Sequence, residues 1–132
     1  MGAIELFPRY WKLKFYGEKM NAQLFAQQAE SVIKEAKGNV VKVIIESGLL
    51  TDSEISLATT IACESGANFV KTSTGITGGG ATENAVKIIK ENLSNGAEIK
   101  ASGGIKTKED ALKFISLGAT RIGTSSGVEI IK

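Results

Sequence analysis

A short apolar strand that ends on a lysine and then breaks into hydroxyl residues and glycine occurs twice in this chain. Residues 68–75 read Asn-Phe-Val-Lys-Thr-Ser-Thr-Gly, and residues 97–105 read Ala-Glu-Ile-Lys-Ala-Ser-Gly-Gly-Ile. The surrounding unit recurs as well, with strand-like onsets near positions 40, 68, 97 and 120 at separations of about 23 to 29 residues. A helical pattern fills each interval. Repetition of strand and helix at this length calls for parallel strands joined by right-handed crossovers, so the chain reads as α/β.

Taken in order, residues 21–37 form the first helical pattern. Asn21 can cap it, Leu24, Phe25, Val32, Ile33 and Ala36 recur at helical spacing, and Gly38 stops it. Residues 40–45, Val-Val-Lys-Val-Ile-Ile, then read as a β-branched strand. Alternation places Lys42, Ile44 and Glu46 on one face and Val41, Val43 and Ile45 on the other, with Glu46 an interior partner for Lys42. Thr51 or Asp52 caps the next helix, whose stripe is Ile55, Leu57, Ala58, Ile61 and Ala62, and Gly66 ends it. Strand 68–71 leads through the loop 75–80 to a helix over 82–93. Asn95-Gly96 turns into strand 98–101, Thr107 caps a helix to Leu117, and 120–123 is a fourth strand.

Short strands, glycine-rich loops after them and caps straight after those loops suit a partial (β/α)8 TIM barrel of about four βα units. An open doubly wound sheet is the alternative. A complete barrel takes eight strands and roughly 250 residues. A remnant of a fifth strand is placed near Ala3 and Ile4. Residues 1–20 read as an irregular arm, and 21–132 as the half-barrel domain. In the arm, Trp11, Phe15 and Tyr16 alternate with Lys12, Lys14 and Lys19. Packing on the body or on another subunit is favoured over a nucleic-acid surface. Half a barrel would expose its strand edges and an apolar inner face.

Composition narrows the function classes. With 42% hydrophobic and 23% charged residues over 132 positions, one globular domain is expected. A net charge of +2 gives no reason to expect nucleic acid or an anionic membrane as partner. No apolar run reaches the roughly 18 residues of a membrane helix, and the N-terminus lacks the pattern of a signal peptide. The single cysteine, Cys63, has no internal disulfide partner, and a cytoplasmic location is expected. Without histidine, zinc sites of the His/Cys type and histidine-based triads are excluded.

Lys71 and Lys100 occupy equivalent places at the ends of consecutive strands, where parallel barrels gather their reactive groups. Neighbouring strands lie about 4.8 Å apart. Two ammonium groups there disfavour each other's charge, and burial acts in the same direction. A lysine amine without its proton attacks carbonyl carbon and forms a Schiff base. The protonated imine is an electron sink for making or breaking a carbon–carbon bond. Ser102-Gly103-Gly104-Ile105 after the second lysine, and Gly123-Thr124-Ser125-Ser126-Gly127 after the fourth strand, offer backbone N–H groups and hydroxyls to a phosphate. Glycine also serves the geometry of such turns. Gly78-Gly79-Gly80 lacks the following Lys-Ser/Thr of a P-loop and reads as a flexible loop or lid.

Four segments then resemble one family: Val-Lys-Val-Ile-Ile-Glu, Phe-Val-Lys-Thr-Ser-Thr-Gly, Ile-Lys-Ala-Ser-Gly-Gly-Ile and Arg-Ile-Gly-Thr-Ser-Ser-Gly. In this order and spacing, residues 40–131 resemble the C-terminal half of deoxyribose-phosphate aldolase, a class I aldolase on a TIM barrel. The resemblance makes Lys71 the Schiff-base lysine and Lys100 the neighbour whose charge helps that amine to lose its proton. Thr74, Gly103, Gly104, Gly123, Ser125 and Ser126 become substrate-binding residues, with the Gly103-Gly104 and Ser125-Ser126 pairs on the phosphate. The implied reaction is reversible cleavage of 2-deoxyribose 5-phosphate to glyceraldehyde 3-phosphate and acetaldehyde, a step of deoxyribonucleotide catabolism that uses neither metal nor organic cofactor. Helix 21–37 is similar to the family's fourth helix and residues 1–4 to the end of its fourth strand. The family's first strands, and an aspartate of its proton relay, have no match in this sequence. Glu46 is the one candidate stand-in. The partner expected is a small phosphorylated sugar, with either self-association or a complementary N-terminal half. The competing expectation is an inactive fragment that holds a phosphorylated ligand at most. If the crowding argument holds, Lys100→Leu raises the pH at which Lys71 captures an aldehyde, which the pH profile of adduct formation measures.

Overall fold

A computed structural model describes residues 4–6, 17–76 and 79–132. Five strands alternate with five helices: β1 Ile4–Leu6, α1 Gly17–Glu35, β2 Val41–Ile44, α2 Asp52–Glu64, β3 Phe69–Lys71, α3 Glu83–Asn92, β4 Glu98–Ser102, α4 Lys108–Ser116, β5 Arg121–Gly123 and α5 Gly127–Ile131. All neighbouring strands pair in parallel, in the order β1-β2-β3-β4-β5. A doubly wound sheet would reverse its strand order at a switch point. None occurs here, and the sheet is an arc of a (β/α)8 barrel.

The helix starts follow from hydroxyl caps. Thr51 accepts the Glu54 N–H while the Glu54 side chain accepts the Thr51 N–H, closing a capping box. Thr82 and Thr107 cap α3 and α4 by accepting from the N–H groups of Ala85 and Asp110. Lys37 and Gly38 both adopt positive φ after α1, so the glycine does its work just beyond a helix that starts at Gly17 rather than Asn21.

One expectation is sharpened and one changes. The strand remnant placed near Ala3 and Ile4 is Ile4–Leu6, in full register with β2, Glu5 opposite Lys42. Three residues are too few to show a period, so the register fixes its extent. Trp11, Lys12, Lys14, Phe15 and Tyr16 lie outside the described residues. The inner face, expected to be apolar, is mostly charged. Val41, Val43, Val70, Ile99 and Ala101 pack outward with Phe25, Ile55, Val86, Ile89 and Phe114 of the four long helices. The alternate positions send Glu5, Lys42, Lys71, Lys100 and Arg121 inward. Phe69 is buried among them, with the Lys42 ammonium 5.8 Å and the Arg121 guanidinium 4.5 Å from its ring centre.

The apolar core therefore lies between sheet and helices. Ile99→Ala, at a fully buried position, is expected to cost about 2–5 kcal/mol. Ile115→Ala, at a half-exposed one, is expected to cost under about 1 kcal/mol. Urea unfolding of both variants checks this.

Candidate active site

Lys71 ends β3 and pairs directly with Lys100, which stands in the middle of β4 rather than at its end because the ladder runs on to Ser102, and Lys100 pairs in turn with Arg121 of β5. Three cations thus stand in one row across the inner face. Glu5 crosses from β1 to meet them. Its Oε2 accepts a hydrogen bond from Lys71 Nζ at 2.8 Å, and its Oε1 lies 3.8 Å from Lys100 Nζ. The lysine side chains are largely enclosed, at 12% and 18% exposure, and Glu5 is at 38%.

Burial is the main cause that lowers the Lys100 pKa, the Lys71 and Lys42 charges add to it, and Glu5 opposes them. The hydrogen bond from Lys71 leads in holding the Glu5 carboxyl below the ordinary range of a glutamic acid. The sequence reading identified both lysines and passed over Glu5, because nothing local marks a residue in a three-residue strand.

Hydroxyls join the strand ends that hold the lysines. Thr72 Oγ1 donates to the Ser102 carbonyl at 2.9 Å and accepts from the Ser102 N–H at 3.0 Å. Ser102 Oγ donates to the Ser73 carbonyl at 2.6 Å. All three residues are buried, so these bonds form where water does not compete.

Beyond the tips opens a cleft of about 350 Å³. Lys71 and Thr74 line one side of it, and Gly103, Gly104, Gly123 and Ser125 the other. Lys100 and Ser126 are not among the lining residues. Lys100 lies behind Gly123, where an added Cβ would come within 3.0 Å of its Cε and 2.9 Å of Ser102 Cβ. Ser126 instead donates its N–H to Thr124 Oγ1 at 2.9 Å, and Thr124 Oγ1 donates to the Ile105 carbonyl at 2.6 Å, which ties the two glycine loops together. Lys106 adds to the lining a cation that the sequence reading missed in attending to the glycines before it.

Gly103 and Gly104 both take positive φ, 91° and 75°. Gly103 also lets the loop after β3 approach. Ala81 N–H donates to the Gly103 carbonyl at 3.0 Å, and a Cβ on Gly80 would fall 2.0 Å from that oxygen. Residues 79–81 are thus stitched to the loop of Gly103 and Gly104; Thr77 and Gly78 lie outside the described residues.

Glu46 does not partner Lys42. The strand ends at Ile44, Glu46 turns into the left-handed region at φ 40°, and strand alternation no longer governs its side chain. Its buried carboxylate accepts from Thr74 Oγ1 at 2.6 Å and from Thr74 N–H at 3.4 Å. Glu46 thereby orders the loop that follows Lys71. Among the described residues, no three acidic or cysteine side chains converge as a metal site.

The room beside Gly123 generates a test. Gly123→Ala should push Lys100 from its place and slow aldehyde capture by roughly 10- to 100-fold. Single-turnover trapping measures the loss, and phosphate affinity should change far less.

A sequence model described as DeoC/LacD family aldolase matches residues 13–132. Deoxyribose-phosphate aldolase 1 of Staphylococcus aureus is 51% identical over 106 residues, which cover 80% of this chain and 48% of that protein. The chain spans about half the length of the curated relatives it matches. Among solved structures, a putative deoxyribose-phosphate aldolase from Coccidioides immitis superposes with a TM-score of 0.81 at 35% identity, over 98% of this chain and 50% of that one. The tetrameric deoxyribose phosphate aldolase from Aeropyrum pernix does so with a TM-score of 0.84 at 32% identity, over 98% and 53%. Lysines paired across neighbouring strands, a cleft lined by glycine loops and a match over most of the sequence lead to one conclusion: this chain belongs to the DeoC/LacD family of aldolases.

Proposed function

We propose that the chain is the lysine-bearing half-barrel of a class I aldolase acting on a phosphorylated aldose, by the relatives' names a deoxyribose phosphate and by the sequence resemblance 2-deoxyribose 5-phosphate. The observation behind this reading is that one cleft joins Lys71 to the loops of Gly103, Gly104, Lys106 and Ser125. An amine and an anion grip lie within the reach of one small substrate.

Lys71, which lines the cleft, is the nucleophile. Its neutral amine adds to the carbonyl carbon, and the carbinolamine takes up a proton and loses water to give a protonated imine. Cleavage sends the electron pair of the breaking carbon–carbon bond into that imine, gives up the C3 hydroxyl proton to solvent, releases glyceraldehyde 3-phosphate and leaves a two-carbon enamine. Protonation and hydrolysis of the enamine free acetaldehyde and restore Lys71. Lys100, enclosed behind Gly123, supplies the neighbouring charge. Lys106 and the glycine-loop N–H groups hold the phosphate, Ser125 adds a hydroxyl, and Thr74, held by Glu46, closes the near wall.

The outer edges of β1 and β5 have no strand partner among the described residues. Self-association, or a complementary half, completes the barrel wall in this reading. Among the described residues no helix is long and apolar enough to cross a membrane, and the buried free thiol of Cys63 suits a reducing cytoplasm. A second reading is a half-barrel that binds phosphate without turnover. It is favoured by the 2.8 Å ion pair to Glu5, since an ammonium held by a carboxylate is not a nucleophile.

Borohydride reduction in the presence of acetaldehyde, followed by intact mass, decides between them. The expected result is one covalent adduct on the wild-type chain and none on Lys71→Ala. Absence of an adduct on the wild type leaves the binding-only reading.

A further inference from the structure

Glu46 combines two unfavourable features. Its backbone stands in the left-handed region at φ 40° and ψ 62°, a conformation that strains any residue with a Cβ. Its carboxylate is buried, and among the described residues it forms no ion pair. What it holds is Thr74, which follows Lys71 in the same loop and lines the cleft beside it. Strain and a buried carboxylate gathered behind a cleft-lining hydroxyl direct attention to what that hydroxyl offers the cleft.

The direction of each hydrogen bond at Thr74 is fixed. A carboxylate oxygen only accepts, so the Thr74 hydroxyl gives its proton to Glu46 Oε2. The 2.6 Å length falls within the range of about 2.5–2.7 Å for a hydroxyl bonded to an ionised oxygen. Ile76 N–H donates to the same Thr74 Oγ1 at 3.2 Å and occupies one of its lone pairs. Thr74 N–H is engaged by Glu46 Oε1 at 3.4 Å. Toward the cleft, Thr74 Oγ1 therefore has a lone pair to offer and no proton. Lys106, which also lines the cleft, has the reverse polarity, an ammonium that donates and cannot accept.

We propose that Glu46 is a positioning residue that sets substrate specificity: by taking the Thr74 proton, it makes Thr74 an acceptor that selects a sugar hydroxyl and turns phosphate away. This rests on the aldolase reading given above. A hydroxyl of the aldose donates to the free lone pair of Thr74 Oγ1. Ionised phosphate oxygens only accept, so that lone pair repels them and leaves them to Lys106. The cleft thereby distinguishes the two ends of one substrate. Glu46 touches no substrate itself and acts through Thr74.

The test uses the full chain and three probes: acetaldehyde, 2-deoxyribose and 2-deoxyribose 5-phosphate. Borohydride trapping at subsaturating probe, read by intact mass, gives a capture rate for each. In Glu46→Gln, an amide that keeps its oxygen on the Thr74 N–H turns its NH2 toward Thr74 Oγ1, and the hydroxyl proton swings into the cleft. Relative to acetaldehyde, capture of both sugars should fall by roughly 10-fold, the effect of losing one hydrogen bond, and by a similar factor for each. Glu46→Asp, which keeps a carboxylate, should recover part of that loss. Equal losses on all three probes show a loop-ordering role alone and overturn the inference. A loss confined to the phosphorylated sugar, or a sugar-to-acetaldehyde ratio within about twofold of wild type, overturns it too. A wild type that captures none of the probes is a different result: it overturns the aldolase reading and this inference with it. Should Glu46→Gln not fold, the same ratio measured on Glu46→Asp decides: a loss selective for the sugars supports the inference, and an unchanged ratio overturns it.

Discussion

The pairing of Lys71 with Lys100 across β3 and β4 is the constraint around which the rest of this structure is arranged. Two ammonium groups side by side on adjacent strands repel, and partial burial makes charge costlier still. The protein accepts that cost and spreads it over specific contacts. Glu5 places a carboxylate between the amines. Thr72, Ser73 and Ser102 bind the two strand ends together so that they do not part under the repulsion. Gly123 leaves the space that the Lys100 side chain occupies. Each of these residues makes sense as a response to one unfavourable pair.

The division between the two faces of the sheet has the same origin. Apolar burial belongs to the outer face, where β-branched strand residues meet the helices. The inner face is left to charged groups on long stems. Lys42 and Arg121 flank Phe69 from opposite sides, so their charges lie near an aromatic ring while the ring itself stays buried. Apolar burial and the charged groups therefore occupy different sides of the same strands, and a cation on the inner face takes nothing from the apolar core.

Much of this was legible in the residues. Helix caps at Thr51, Thr82 and Thr107, strands β2 to β5, a trace of β1 and the end of β3 on Lys71 follow from local spacing, whereas β4 runs two residues past Lys100. Glu46 was misread because alternation was carried past the end of β2 into a left-handed turn. Lys106 was overlooked because its neighbours Gly103 and Gly104 give a stronger pattern than a single cation does. Ser126 sits among cleft-lining residues in sequence, yet its N–H bond to Thr124 belongs to the loop, and Ser126 stands outside the lining.

By itself, then, the sequence determined the repeating strand–helix unit, a lysine in each of two consecutive strands and the glycine loops beyond them. All of these are relations between residues close along the chain, where periodicity and turn chemistry act. Tertiary structure alone decided that Glu5 stands between the two amines, since that contact joins residues 66 positions apart. It depends on the register of β1 against β2 and of each later strand against the one before. No local pattern contains a register; it is set by how whole strands pair and which faces they bury.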